Sequence, residues 1–123
     1  MKPERLLVCG GRDYWDWDFF DHCMTPWRER AFIIQGGALG ADFMASSWAL
    51  IWGCGQREYP AQWHKLGKVA GFRRNTEMLV LGKPDRVIAF PGGPGTADMV
   101  SRAQDRGFPV TLFMPGDFPH GAL

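Results

Sequence analysis

A chain of 123 residues with 46% hydrophobic positions, nine Phe and six Trp among them, has the apolar side chains for one core and one domain. Its 14 Lys and Arg against 13 Asp and Glu leave a formal charge of +1, which argues against a broad nucleic-acid surface, since such a surface needs a basic excess. No apolar run reaches about 20 residues, so no membrane span is expected.

The run Arg5-Leu-Leu-Val-Cys9 is too continuously apolar for a sheet wetted on one side, and predicts a central strand. It ends in a glycine turn, Gly10-Gly11-Arg12-Asp13. Asp13 or Asp16 is suited to cap a helix over 15–24, which Thr25-Pro26 breaks. Ala31 to Gln35 is a second buried strand and runs into a second glycine loop, Gly36-Gly37-Ala38-Leu39-Gly40-Ala41-Asp42.

The helix expected over 38–52 spreads Phe43, Met44, Trp48, Leu50, Ile51 and Trp52 around much of its circumference. A helix apolar on most sides is buried on most sides. In so small a protein the expected cover for the outer face is a second copy of the chain, hence a homodimer. A short strand over 56–59 stops at Pro60. The polar, glycine-punctuated stretch 61–72 reads as an irregular loop, and a helix follows from Gly71 or Phe72 to Leu81, ended by Gly82-Lys83-Pro84.

Arg86 to Phe90 is a β-branched, buried strand, and the stretch from Phe90 to Met99 reads FPGGPGTADM. A helix over 96–106 and a last strand over 110–113 complete a domain of residues 1–113. The tail, 114–123, is rich in Pro and Gly and is expected to trail over the surface. In the third loop, Gly92, Gly93 and Gly95 offer positive φ and leave no Cβ in a ligand's way. Thr96 is suited to cap the helix, whose first amides point at an anion with the helix dipole behind them.

Five strand–helix alternations with apolar strands predict an α/β domain. The expected architecture is a Rossmann-like α/β/α sandwich on a doubly wound, five-stranded parallel sheet of order 3-2-1-4-5. That order sets strands one and four side by side where the winding reverses. The loops after strands one, two and four then open on one crevice, where such folds bind ligands.

Gly10-Gly-Arg-Asp13, Gln35-Gly-Gly-Ala-Leu-Gly-Ala-Asp42, Arg74-Asn75-Thr-Glu-Met78 and Pro91-Gly-Gly-Pro-Gly-Thr-Ala-Asp-Met99 together resemble the YspA/YpsA-related branch of the SLOG superfamily. The resemblance runs from Leu6 to about Val110. It implies a Rossmann-like fold related to the LOG "lysine decarboxylase-like" phosphoribohydrolases and to the DNA-processing protein DprA. It also implies a nucleotide or nucleotide-derived ligand. Catalytic LOG members carry PGGxGTxxE and an Arg in an RKxxM-like helix, and cleave the N-glycosidic bond of a nucleoside monophosphate. Here Arg74 and Met78 match the second motif with Asn75 in place of Lys. Pro91 through Thr96 match the first, but Met99 stands where the Glu is expected and Asp98 is the neighbouring acid.

The ligand-binding set so defined is Gly10, Gly11, Arg12, Asp13, Gly36, Gly37, Gly40, Arg74, Asn75, Pro91, Gly92, Gly93, Gly95 and Thr96. Arg74 and Asp98 are the catalytic candidates. Arg74 suits a bidentate anion clamp. Asp13 suits ribose hydroxyls or a helix cap, and Asp98 suits catalysis or simply the helix dipole. Asp42 leans to a role within the fold. Trp63, with Lys65 and Lys68, suits a lid that stacks on a base, while His64 suits acid–base work or plain exposure. Cys9, Cys23 and Cys54, odd in number and widely spaced, match neither a zinc site nor a disulfide framework. No metal and no required cofactor are expected. With no signal peptide read after Met1, the expected compartment is the reducing cytoplasm. Three functions follow: a nucleotide binder, an N-glycosidic hydrolase of a nucleotide, and a DprA-like module for single-stranded DNA.

Overall fold

The computed structural model of the chain describes residues 2–115. Five strands, β1 (Glu4–Cys9), β2 (Ala31–Gln35), β3 (Gly55–Glu58), β4 (Arg86–Ala89) and β5 (Val110–Leu112), form one sheet in the order β3-β2-β1-β4-β5. Every pairing is parallel, with Leu7 beside Ile34 and Val8 beside Ile88. The fold expected from the sequence is the fold observed.

Parallel strands need crossovers, and five helices supply them: α1 (Trp17–Met24), α2 (Ala41–Ile51), α3 (Trp63–Leu66), α4 (Ala70–Gly82) and α5 (Pro94–Asp105). Alternate side chains of a strand point to opposite faces. Leu6 and Val8 therefore enter one core with Phe20, Ile33, Trp48, Ile88 and Phe90. Leu7 and Cys9 enter the other with Ile34, Met78, Leu79, Val87 and Met99. A layer on each face explains why β1 is apolar from Leu6 to Cys9 and why Leu6, Leu7 and Val8 are wholly buried. The indole N–H of buried Trp48 is satisfied by Asp21 Oδ1 at 3.1 Å, as a buried tryptophan requires.

The helix boundaries differ from the expected ones in three instructive places. First, α2 begins at Ala41 rather than Ala38, because Gly40 sits at φ 72° and holds the preceding loop out of the helix. It buries Ala41, Met44, Ala45, Trp48 and Ala49 against the sheet and leaves Phe43, Leu50 and Ile51 exposed. Second, 61–72 is not an irregular loop. It holds α3, a 3-10 turn over Gly67–Val69 and the start of α4 at Ala70. Third, α5 begins at Pro94 with Gly93 as its N-cap, so Thr96 lies inside the first turn and does not cap it. Pro is pre-shaped for the first helical position and has no amide to leave unpaired there. Asp16, not Asp13, caps α1, accepting from the Phe19 amide at 3.2 Å.

Among the described residues no helix is long and apolar enough to cross a membrane. Residues 116–123 of the expected tail lie outside the described residues.

Candidate functional site

The loops after β1, β2 and β4 interlock at Gly11. Its amide donates to Pro91 O at 2.8 Å and its carbonyl accepts from the Ala41 amide at 3.1 Å. A side chain at Gly11 would meet Pro91 O at 3.1 Å and the Cα of Gly92 at 3.2 Å. Gly40 approaches from the other side, and a Cβ there would strike the Gly11 carbonyl and the backbone of Arg12. Contact this close between backbones is what glycine permits.

Gly92, Gly93 and Gly95 serve through space and not through left-handed backbone. The glycines with positive φ among the described residues are Gly37, Gly40, Gly53, Gly67 and Gly107. A Cβ at Gly92 would strike Thr96 Oγ1, whereas at Gly93 and Gly95 it would meet nothing within 4 Å. The first helical hydrogen bond of α5 runs from Ala97 N to Gly93 O at 3.0 Å. With no amide on Pro94, the N–H groups of Gly95 and Thr96 are the first-turn donors left outside the helical ladder, at the positive end of the helix dipole.

Arg74, on α4, donates from Nη1 to the Gly36 carbonyl at 2.6 Å and from Nε to Asn75 Oδ1 at 3.2 Å. Burial lowers its pKa, while neighbouring Asp42 raises it. Asn75 donates from Nδ2 to Gly95 O at 3.2 Å and to Asp98 Oδ2 at 3.0 Å, joining α4 to the start of α5. Asp98 also accepts from Arg102 Nε at 2.8 Å.

Asp42 is almost fully buried and accepts from the Ala38 amide at 3.2 Å. Burial pushes its carboxyl up to about 6, against the pull of the Ala38 amide, Arg74 and the Gly36 amide. Cys9 is raised as well, by burial first and by Asp42 second. A thiol held protonated in this way is a poor nucleophile.

These groups surround a cleft of about 1040 Å³ at the C-terminal edge of the sheet, lined by residues 9–14, Ala38, Asp42, Trp63, Gly71, Phe72, Arg74, Asn75, Met78, residues 91–96 and Met99. Of the expected ligand-binding residues, Gly10, Gly11, Arg12, Asp13, Arg74, Asn75, Pro91, Gly92, Gly93, Gly95 and Thr96 come together on its wall. Gly36, Gly37 and Gly40 are not part of the wall. They shape the loop behind it, where Gly37 N donates to Gln35 Oε1 at 2.6 Å and Gly36 O holds Arg74. Asp98 is not on the wall either; Met99, 1% exposed, is.

The wall also contains Met78 of the motif shared with Arg74, and Tyr14, Gly71 and Phe72, which sequence reasoning did not single out as site residues. The one signal for them was Gly71 beside an aromatic at the start of a helix. Among the described residues no group of His, Cys, Asp and Glu could hold a metal ion.

The sequence profile of the YspA, cpYpsA-related SLOG family matches residues 4–66. The chain is also similar to the gene 61 protein of Mycobacterium phage D29, with 36% identity over 128 aligned positions that cover 94% of this chain and 98% of that protein. The matched segment carries β1, β2 and α2 with the glycine loops between them, and the parallel sheet places those loops around one cleft. On these grounds the chain belongs to the YspA, cpYpsA-related SLOG family.

Proposed function

We propose that the cleft binds a nucleotide or nucleotide derivative, with a phosphate seated at the start of α5. The observation that carries this reading is local. Gly93 and Gly95 leave open space beside the unladdered amides of Gly95 and Thr96, on the wall of a cleft where the strand order reverses. Arg74 adds a positive charge to the same wall.

The proposal is for binding. Glycosidic cleavage passes through an oxocarbenium-like state and needs a carboxylate to steer water or ribose hydroxyls. Apolar Met99 stands on the wall where the LOG pattern has Glu, and Asp98 is engaged by Asn75 and Arg102. Against a nucleic-acid module, the cleft matches Arg12 and Arg74 with Asp13 and Asp42, and the whole chain carries +1. A homodimer through the outer face of α2, where Phe43, Leu50 and Ile51 are exposed, belongs to the same proposal and is read by light scattering of the wild type against Leu50→Asp.

The test is thermal stability against nucleoside mono-, di- and triphosphates, ADP-ribose, NAD and single-stranded oligonucleotides, with Gly93→Val as the control. Ligand at about 100 times its dissociation constant adds about 2.7 kcal/mol. Stabilisation by one nucleotide class, lost in Gly93→Val, is the expected result. No stabilisation by any nucleotide, or stabilisation by oligonucleotide alone, contradicts it.

A further inference from the structure

The cleft has an aromatic side that the phosphate loop does not explain. Trp63 is 47% exposed and Phe72 is 42% exposed, and neither belongs to either core cluster. Single exposed aromatics are ordinary. These two line the same cleft as the loop at the start of α5.

The ring of Trp63 is placed by its neighbours. Gly71 gives it room: a Cβ at that position would come to 3.0 Å from its Cη2. The Arg12 guanidinium, carried by the loop after β1, lies 5.5 Å from the Trp63 ring centroid. That of Arg102 lies 6.0 Å from the ring of Phe72. An indole and a guanidinium plane are the two kinds of surface on which a nucleobase stacks.

We propose that Trp63 and Phe72 form a shelf in this cleft that takes the planar base of the ligand, with Arg12 as a second stacking partner. This rests on the nucleotide reading above and fixes the polarity of the ligand, phosphate at α5 and base at α3 and α4. Stacking uses the π face that every base has. The shelf therefore separates nucleotides from sugar phosphates and does not choose strongly among bases.

The test is calorimetric titration of the wild type, Trp63→Ala, Trp63→Phe and Gly71→Ala with adenosine monophosphate, uridine monophosphate and ribose 5-phosphate. Trp63 lies outside both cores, so its variants are expected to fold, and their melting curves check it. The wild type is expected to bind both nucleotides roughly 10- to 100-fold more tightly than ribose 5-phosphate. Trp63→Ala removes that preference and leaves ribose 5-phosphate binding unchanged. Trp63→Phe keeps most of it, and Gly71→Ala, which displaces the ring, loses part. A preference that survives Trp63→Ala, or equal weakening of nucleotide and ribose 5-phosphate, overturns the shelf and leaves the phosphate site standing. A folded wild type that binds neither nucleotide nor ribose 5-phosphate overturns the nucleotide reading, and the shelf with it.

Discussion

Arg74 holds the carbonyl oxygen of Gly36 at 2.6 Å across 38 positions of sequence, so a helix residue pins the loop that follows β2. The fit is mutual, because a Cβ at Gly36 would strike the Arg74 guanidinium. Nε reaches Asn75 at the same time, and only a planar fork serves both partners in this way. Arg74→Ala and Arg74→Lys are both expected to destabilise the fold by about 1–3 kcal/mol, as measured by urea unfolding at neutral pH. A lysine variant with wild-type stability would show that charge alone matters.

Two glycine substitutions should separate folding from binding. Gly40→Ala puts a Cβ into the Gly11 and Arg12 backbone at φ 72°, and is expected to cost more than about 3 kcal/mol or to prevent folding. Gly93→Ala, at φ −102° with nothing within 4 Å, is expected to stay within about 0.5 kcal/mol of wild type while weakening ligand binding. Equal melting temperatures for the two variants would contradict the different tasks assigned to them.

Asp42 makes stability depend on pH in a stated direction. Its carboxyl rises from 3.8 to about 6, chiefly through burial, so the folded state holds a proton that the unfolded chain releases. The resulting stabilisation is fully present below the unfolded value near pH 4 and is lost as pH rises through about 6, amounting to about 3 kcal/mol at most. Asp42→Asn does not titrate. Relative to that variant the wild type should lose stability between pH 4 and pH 7, read from paired denaturant curves. A constant difference, or one of opposite sign, would contradict the burial argument.

Asp98 is bound by Asn75 and Arg102, with its side chain 19% exposed. Asp98→Asn removes the charge and keeps an oxygen for Asn75. It is expected to cost about 1 kcal/mol or less and to leave nucleotide affinity unchanged in calorimetry. Loss of a measurable base-release activity in this variant would instead assign Asp98 to chemistry.

The strands were legible because two-sided burial gives β1, β2 and β4 continuous apolar runs, Leu6 to Cys9, Ala31 to Ile34 and Val87 to Ala89. The strand order was legible because right-handed crossovers leave few alternatives. What sequence did not show lies in short elements and long-range bonds. The four residues Trp63–Leu66 are too few to display a helical period, and Gly67 at φ 59° looks from sequence like loop punctuation. Thr96 resembles a cap in isolation, but Pro94 starts the helix earlier. The bonds from Arg74 to Gly36 and from Asn75 to Gly95 join residues 38 and 20 positions apart, and no local pattern announces them. The cleft's glycine loops were therefore legible as a set, while the division between Gly92, Gly93 and Gly95 on the wall and Gly36, Gly37 and Gly40 behind it was not.

The most direct measurement is a backbone amide NMR titration of the wild-type chain with adenosine monophosphate. Saturable shifts should centre on the amides of Gly95 and Thr96 and extend to Gly10 and Gly11, with the far ends of β3 and α2 undisturbed. Shifts that avoid the start of α5, or none at millimolar nucleotide, would contradict a phosphate seat in this cleft.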